Sequence, residues 1–167
     1  MRRQKGFSLV ELLIVVAVIL IIAAIAIPNL LRARMSANEA SAVASLRSIV
    51  TAETAYNTLG WSNPSPIGFS AQLSDLGDSG GCTPPTPTSV CQLDDSIANA
   101  TSATTPKSGY YFVYAPITIG TYNSGFTVQA EPVSRGATGL RSFFTDATGV
   151  IRFNTTQAAT STDSAIQ

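Results

Sequence analysis

Between Leu12 and Ile27 the chain runs through 16 consecutive apolar residues without a polar interruption. Adding Phe7 to Val10 and then Leu30 and Leu31 extends the run to 25 positions, broken only by Ser8, Glu11, Pro28 and Asn29. As an α-helix at 1.5 Å per residue this segment is about 37 Å long. A bilayer hydrocarbon core is about 30 Å thick, so the segment is long enough to span one. Phe, Leu, Ile and Val account for 17 of these positions. At about −0.3 to −0.6 kcal/mol each they favour insertion by roughly 5–10 kcal/mol, against about 3 kcal/mol for one central charge. Insertion therefore wins despite Glu11, which also sits near the shallow end of the span.

A tolerated charge still needs a reason. Ionisable groups inside a membrane segment are functional suspects. The local alternative is that Glu11 accepts orphan N–H groups at the start of its own helix, where the dipole favours an anion. Arg2, Arg3 and Lys5 precede the span, and a polar domain follows it. That charge order predicts a cytoplasmic N-terminus and an exported remainder.

Composition narrows the function. Basic and acidic residues number 10 each. Without the three leading cations the balance is 10 − 3 = 7 basic against 10 acidic, so no global basic field invites nucleic acid. The sequence contains no His, which removes His-based triads, bases and metal ligands. Nothing points to an enzyme or to a cofactor. Cys82 and Cys91 lie nine positions apart in Pro/Gly/Thr-rich sequence with no CxxC motif. They read as one local disulfide in an oxidising compartment, or else as two free thiols. Asp75, Asp78, Asp94 and Asp95 flank that loop without calcium-loop spacing.

The leader and apolar run together, RRQKGFSLVELLIVVAVILIIAAIAIPNLLRAR, resemble the processing and assembly segment of the type IV pilin family. The matching features are the short basic leader, Gly6, Phe7, the hydroxyl of Ser8, Glu11 and Pro28, and they cover about the first 34 residues. The resemblance implies cleavage between Gly6 and Phe7 by a prepilin peptidase, followed by methylation of the new Phe7 amine. It also implies that Glu11 neutralises the amine of a neighbouring subunit and so sets axial register. Two buried charges left unpaired would be costly, and pairing them removes most of that cost. Pro28 removes the donor for the Ala24 carbonyl and marks a kink or weak point.

The function implied is a structural subunit of a type IV pilus, made as an inner-membrane precursor and polymerised into a surface filament serving adhesion or twitching motility. Its partners would be identical or related pilins, the peptidase and methylase, the inner-membrane assembly machinery and, before assembly, the membrane. The alternatives are a type II secretion pseudopilin or a minor pilin. A conventional signal peptide cut after Ala26, in the A-x-A of Ala24 to Ala26, is the competing targeting reading.

Beyond the apolar run the helix becomes amphipathic. Met35, Ala42, Val43, Leu46, Ile49, Val50 and Tyr56 share one face at 3.6 spacing, while Ser36, Asn38, Ser41, Ser45 and Ser48 lie away from it. Glu39 and Glu53 fall near the centre of that face. Glu39 is expected to be exposed. Glu53 is expected either to accept N–H groups from the following loop or to sit at a solvated rim. Gly60 terminates the helix.

Later, GYYFVYAPI (109–117), GFTVQAEPV (125–133) and a hairpin in GLRSFFTDATGVIRFN, turning at 146–149, give an antiparallel meander of about four strands. Tyr110, Tyr111, Phe112, Tyr114, Phe143, Phe144 and Phe153 read as core and cross-strand packing. Arg135, Arg141 and Arg152 are the only candidates for a basic stripe in the strand region, and surface solvation is the simpler account.

The expected fold is α+β: a pilin-like ladle, with one long N-terminal helix on a small antiparallel sheet. Its segments are a leader (1–6), an apolar half-helix (7–31), an amphipathic half-helix (32–59), a disulfide-bearing αβ-loop (60–108), the sheet (109–154) and a frayed tail (155–167).

Overall fold

The computed structural model describes residues 7–61, 68–78 and 80–166. Gly6 and the rest of the leader lie outside the described residues, as do positions 62–67 within the αβ-loop. Helix α1 spans Leu9–Thr58 and is assigned continuously through Pro28. The chain divides into two units, 1–34 and 35–167, each taken here by itself.

In the first unit α1 is apolar on all sides and no part of the unit covers it. Leu9 to Leu31 are exposed apart from a half-exposed Ala23. In the second unit the same helix is one-sided. Ala42, Leu46, Ile49, Ala52 and Tyr56 are buried, and Val43 and Val50 pack beside them. This is the stripe expected from the periodicity. Ser45, expected to face away, is buried, and its hydroxyl accepts from Lys107 Nζ at 3.3 Å. The helix ends where Gly60 enters the left-handed region at φ 63, which glycine adopts without a Cβ clash.

A 3₁₀ turn (Leu73–Leu76) and the short helix α2 (Asp95–Ala98) punctuate the loop region. Five antiparallel strands follow in meander order: β1 (Tyr110–Ile119), β2 (Tyr122–Pro132), β3 (Ser142–Asp146), β4 (Arg152–Asn154) and β5 (Ser164–Ala165). The register pairs Phe112 with Ala130, Ala130 with Phe143, and Phe143 with Phe153, so all four face the helix-covered side. Tyr110 and Tyr114 share that side by their alternation with Phe112. Tyr111 and Phe144 lie on the other face.

Two features depart from expectation. Strands β1 and β2 run further than their composition suggests and close over Gly120 and Thr121, with a bulge between Ile117 and Thr118. The tail is folded: it supplies β5, buries Ala159 completely, and lays the Ala159 carbonyl on Gln129 Nε2 at 3.1 Å. The tail thereby meets the outer face of the sheet at Gln129, whose cross-strand partner Phe144 is only 6% exposed.

Phe143 is fully buried at the centre of this sheet and its ring lies tilted against Tyr110, centroids 6.0 Å apart. Truncating it leaves a cavity. Phe143→Ala should destabilise the second unit by about 3–5 kcal/mol, measured by denaturation of the detergent-solubilised chain followed through its single Trp61.

Candidate assembly segment and the carboxylates that fix it

Phe7 is 84% exposed, and all 17 large apolar side chains from Phe7 to Leu31 are open to the surroundings. Removing them from water is favourable by on the order of tens of kcal/mol, at about 1.5–3 kcal/mol for a fully buried side chain. No single soluble chain keeps such a surface bare, so this segment requires lipid or other protein around it.

At its start, Ser8 occupies the cap position before Leu9. The Ser8 N–H donates to Glu11 Oε2 at 3.1 Å. This is the reciprocal half of a capping box, in which the third helical residue reaches back to the cap backbone. Within one chain Glu11 thus performs the local task. Its Oε1 has no hydrogen-bond partner among the described residues. At Pro28 the Ala24 carbonyl loses its helical donor, and the helix nonetheless runs on.

Glu39 is buried, contrary to expectation. Its Oε1 accepts the Leu140 and Arg141 N–H groups at 2.9 and 3.1 Å, and its Oε2 takes Arg141 Nε at 2.8 Å. The loop before β3 approaches closely enough for this because Gly139 carries no side chain. A Cβ there would collide with the Tyr110 ring, whose hydroxyl donates to the Arg141 carbonyl at 2.6 Å. Burial pushes the Glu39 carboxyl up. The two N–H groups and the guanidinium outweigh that effect and hold it below its ordinary value.

Glu53 takes the first of its two expected roles: Ser70 N–H, from the loop, donates to its Oε2 at 3.1 Å, and the side chain is fully buried. The four loop aspartates likewise serve the backbone. Asp75 accepts from Gln72 N, Asp78 from Gly80 and Gly81 N, Asp94 from Ser96 N, and Asp95 from Asp78 N. Cys82 and Cys91 are joined as a disulfide with Cα atoms 5.8 Å apart. Their loop is tied back to α1 by Tyr56 Oη, which donates to the Pro87 carbonyl at 2.8 Å.

The three arginines of the strand region are also committed. Arg135 reaches the Leu140 carbonyl, Arg141 pairs with Glu39 and lies over Phe143 and Phe153, and Arg152 donates to the Asp163 carbonyl.

Residues 1–27 match the family model described as the prokaryotic N-terminal methylation motif. The chain is similar to the type IV wide pilus major component PilA4 of Thermus thermophilus, with 52% identity over 34% of this chain and 43% of that protein. It is also similar to the type IV major pilin protein PilA of Myxococcus xanthus, with 43% identity over 32% of this chain and 24% of that protein. The matches thus span less than half the length of either relative. No solved structure matches the chain.

A carboxyl held below its ordinary value contributes stability above that value and loses it as pH falls. Glu39→Gln should therefore destabilise the second unit at neutral pH by about 1–3 kcal/mol, the cost of poorly satisfied buried groups. The gap from wild type should narrow as pH drops below about 4.5, as read from denaturation midpoints across pH.

Proposed function

We propose that this chain is a structural subunit of a type IV pilus, assembled through its apolar N-terminal helix. The observation that carries the reading is the coincidence of two features on one segment. It bears the methylation motif, and it is a helix whose large apolar side chains are all exposed among the described residues of its unit.

On this reading the precursor is held in the inner membrane with its N-terminus cytoplasmic, and the second unit faces the periplasm. A prepilin peptidase cuts between Gly6 and Phe7, and the same processing methylates the Phe7 amine. One methyl keeps the amine basic, so it remains largely cationic near neutral pH. Polymerisation then exchanges lipid contacts of the apolar helix for contacts with neighbouring copies or related pilins, on inner-membrane assembly machinery.

Glu11 acts as the register group. Its Oε1, without a hydrogen-bond partner among the described residues, is available to a neighbour's Phe7 amine without breaking the bond from Ser8. A subunit one step out of register would bury the amine and the carboxylate apart, which costs several kcal/mol per ion. Pro28 supplies a place where the helix loosens at the expense of one hydrogen bond already missing. The relatives' printed names, a wide pilus major component and a major pilin protein, support the filament reading over an enzymatic one.

Mass spectrometry of filaments sheared from the cell surface should find an N-terminal methyl-Phe7 peptide together with the linked pair Cys82–Cys91. A peptide beginning at Ile27 would indicate a signal-peptide cut instead. Glu11→Ala as the sole subunit should abolish or sharply reduce filament yield while the precursor still accumulates in the membrane. Normal filaments from that variant would remove the register role.

A further inference from the structure

Glu53 stands out as a carboxyl group in the core without a cation. It is 0% exposed. Among the described residues the only ion pairs are Arg135–Glu131 and Arg141–Glu39. The titratable groups that face it are Tyr56 on α1, Asp75 on the 3₁₀ turn and Tyr114 on β1. None of these can supply a positive charge, and from β2 only the neutral amide of Asn123 joins the cluster, donating to the Ser70 carbonyl at 3.1 Å.

The contacts form a closed circuit. Ser70 N–H meets Glu53 Oε2, and Ser70 Oγ meets Glu53 Oε1. Ser70 Oγ also lies 3.0 Å from Tyr114 Oη, which donates to the Ser70 carbonyl at 2.9 Å. Tyr114 Oη also interacts with the Glu53 carboxyl directly, which makes five contacts. An ionised Glu53 leaves three protons to fill them: one amide and two hydroxyls. The single Ser70 hydroxyl proton would then have to serve both Glu53 and Tyr114. A protonated Glu53 supplies a fourth proton. Its own O–H donates to Ser70 Oγ, which is freed to donate to Tyr114, and every donor is used once. Burying an unpaired carboxylate is also far costlier than burying the neutral acid.

We infer that Glu53 is a stored proton: a neutral carboxylic acid that completes the hydrogen-bond circuit joining α1, β1 and the loop at Ser70, and whose ionisation loosens that junction. Burial acts in the same direction, pushing the Glu53 carboxyl up by more than the Ser70 and Tyr114 hydrogen bonds pull it down, with Asp75 adding to the rise. A group raised in the folded state stabilises it fully below the ordinary carboxylate value. That contribution fades as pH climbs through the raised one. The junction is therefore tightest in acid. Asn123 donates to the Phe69 and Ser70 carbonyls and accepts the Phe69 N–H, so loosening at Ser70 passes first to the 68–70 segment and β2. This inference stands or falls independently of filament assembly.

The test uses the full chain in detergent. With Glu carboxyls labelled in ¹³C, the Glu53 resonance, assigned by its loss in Glu53→Gln, should remain in the acid form at a pH where Glu39, held below its ordinary value, has become a carboxylate. Glu53→Gln keeps a donor and an acceptor at the site without a titration. Its melting temperature should match wild type in mild acid and exceed it increasingly as pH rises to the alkaline side, with Trp61 emission reporting the loop end of α1. A Glu53 resonance that is already a carboxylate in mild acid would overturn the inference. So would a wild-type-to-variant gap that stays constant with pH. If the variant does not fold, the carboxyl titration alone decides, with Glu53 then assigned through its contact to Ser70.

Discussion

A helix has one backbone and must suit whatever surrounds it through side chains alone, and α1 meets two surroundings in a single run of 50 residues. Up to Leu31 its side chains are apolar in every direction. From Ala42 to Tyr56 they are apolar on one face only. The rest of the chain follows from that second pattern. A single apolar stripe on a helix needs a sheet with one apolar face, and a meander of short antiparallel strands is the least elaborate way to provide it. The all-round apolar half makes the opposite demand, which no part of its own unit meets.

The chain is sparing with charge, and it uses its carboxyl groups in a consistent manner. Glu11, Glu39, Glu53, Asp75, Asp78, Asp94, Asp95, Asp146 and Asp163 each accept a hydrogen bond from at least one main-chain N–H. Glu131 is the exception. Charge-assisted bonds to backbone amides are shorter and stronger than neutral ones. They let a loop region rich in Pro, Gly, Ser and Thr hold a shape that its weak periodicity would not enforce. Asp78 arrests the turn before the disulfide, Asp94 caps α2, and Asp163 closes the turn that delivers β5.

Much of this was legible in the sequence because its signals are local. The apolar run, the 3.6-residue stripe ending at Gly60, the β-rich segments, the turn at 146–149 and the cysteine pair all declare themselves within a few residues of where they act. Glu39 did not, and Glu53 left two roles open. Their partners lie about 100 and 17 positions away respectively, and a helical wheel has no knowledge of which distant amide will arrive. Ser45 was misplaced for the same reason: its burial depends on Lys107. The tail escaped notice because a two-residue strand has no alternation to detect, and Gln157 and Ala159 act through their carbonyls, which every residue possesses. At the candidate assembly segment the positions were readable, while the bond from Ser8 to Glu11 became visible only with the helix start in place.

Because nearly all the carboxyl groups close on main-chain amides, and among the described residues only Glu39 and Glu131 also pair with a cation, dissolved salt has little to compete for. Screening over a Debye length of about 8 Å at physiological ionic strength weakens separated surface charges. It scarcely touches an amide hydrogen held by a fixed loop against an oxygen it already contacts. The second unit is built to keep its form as salinity changes around it.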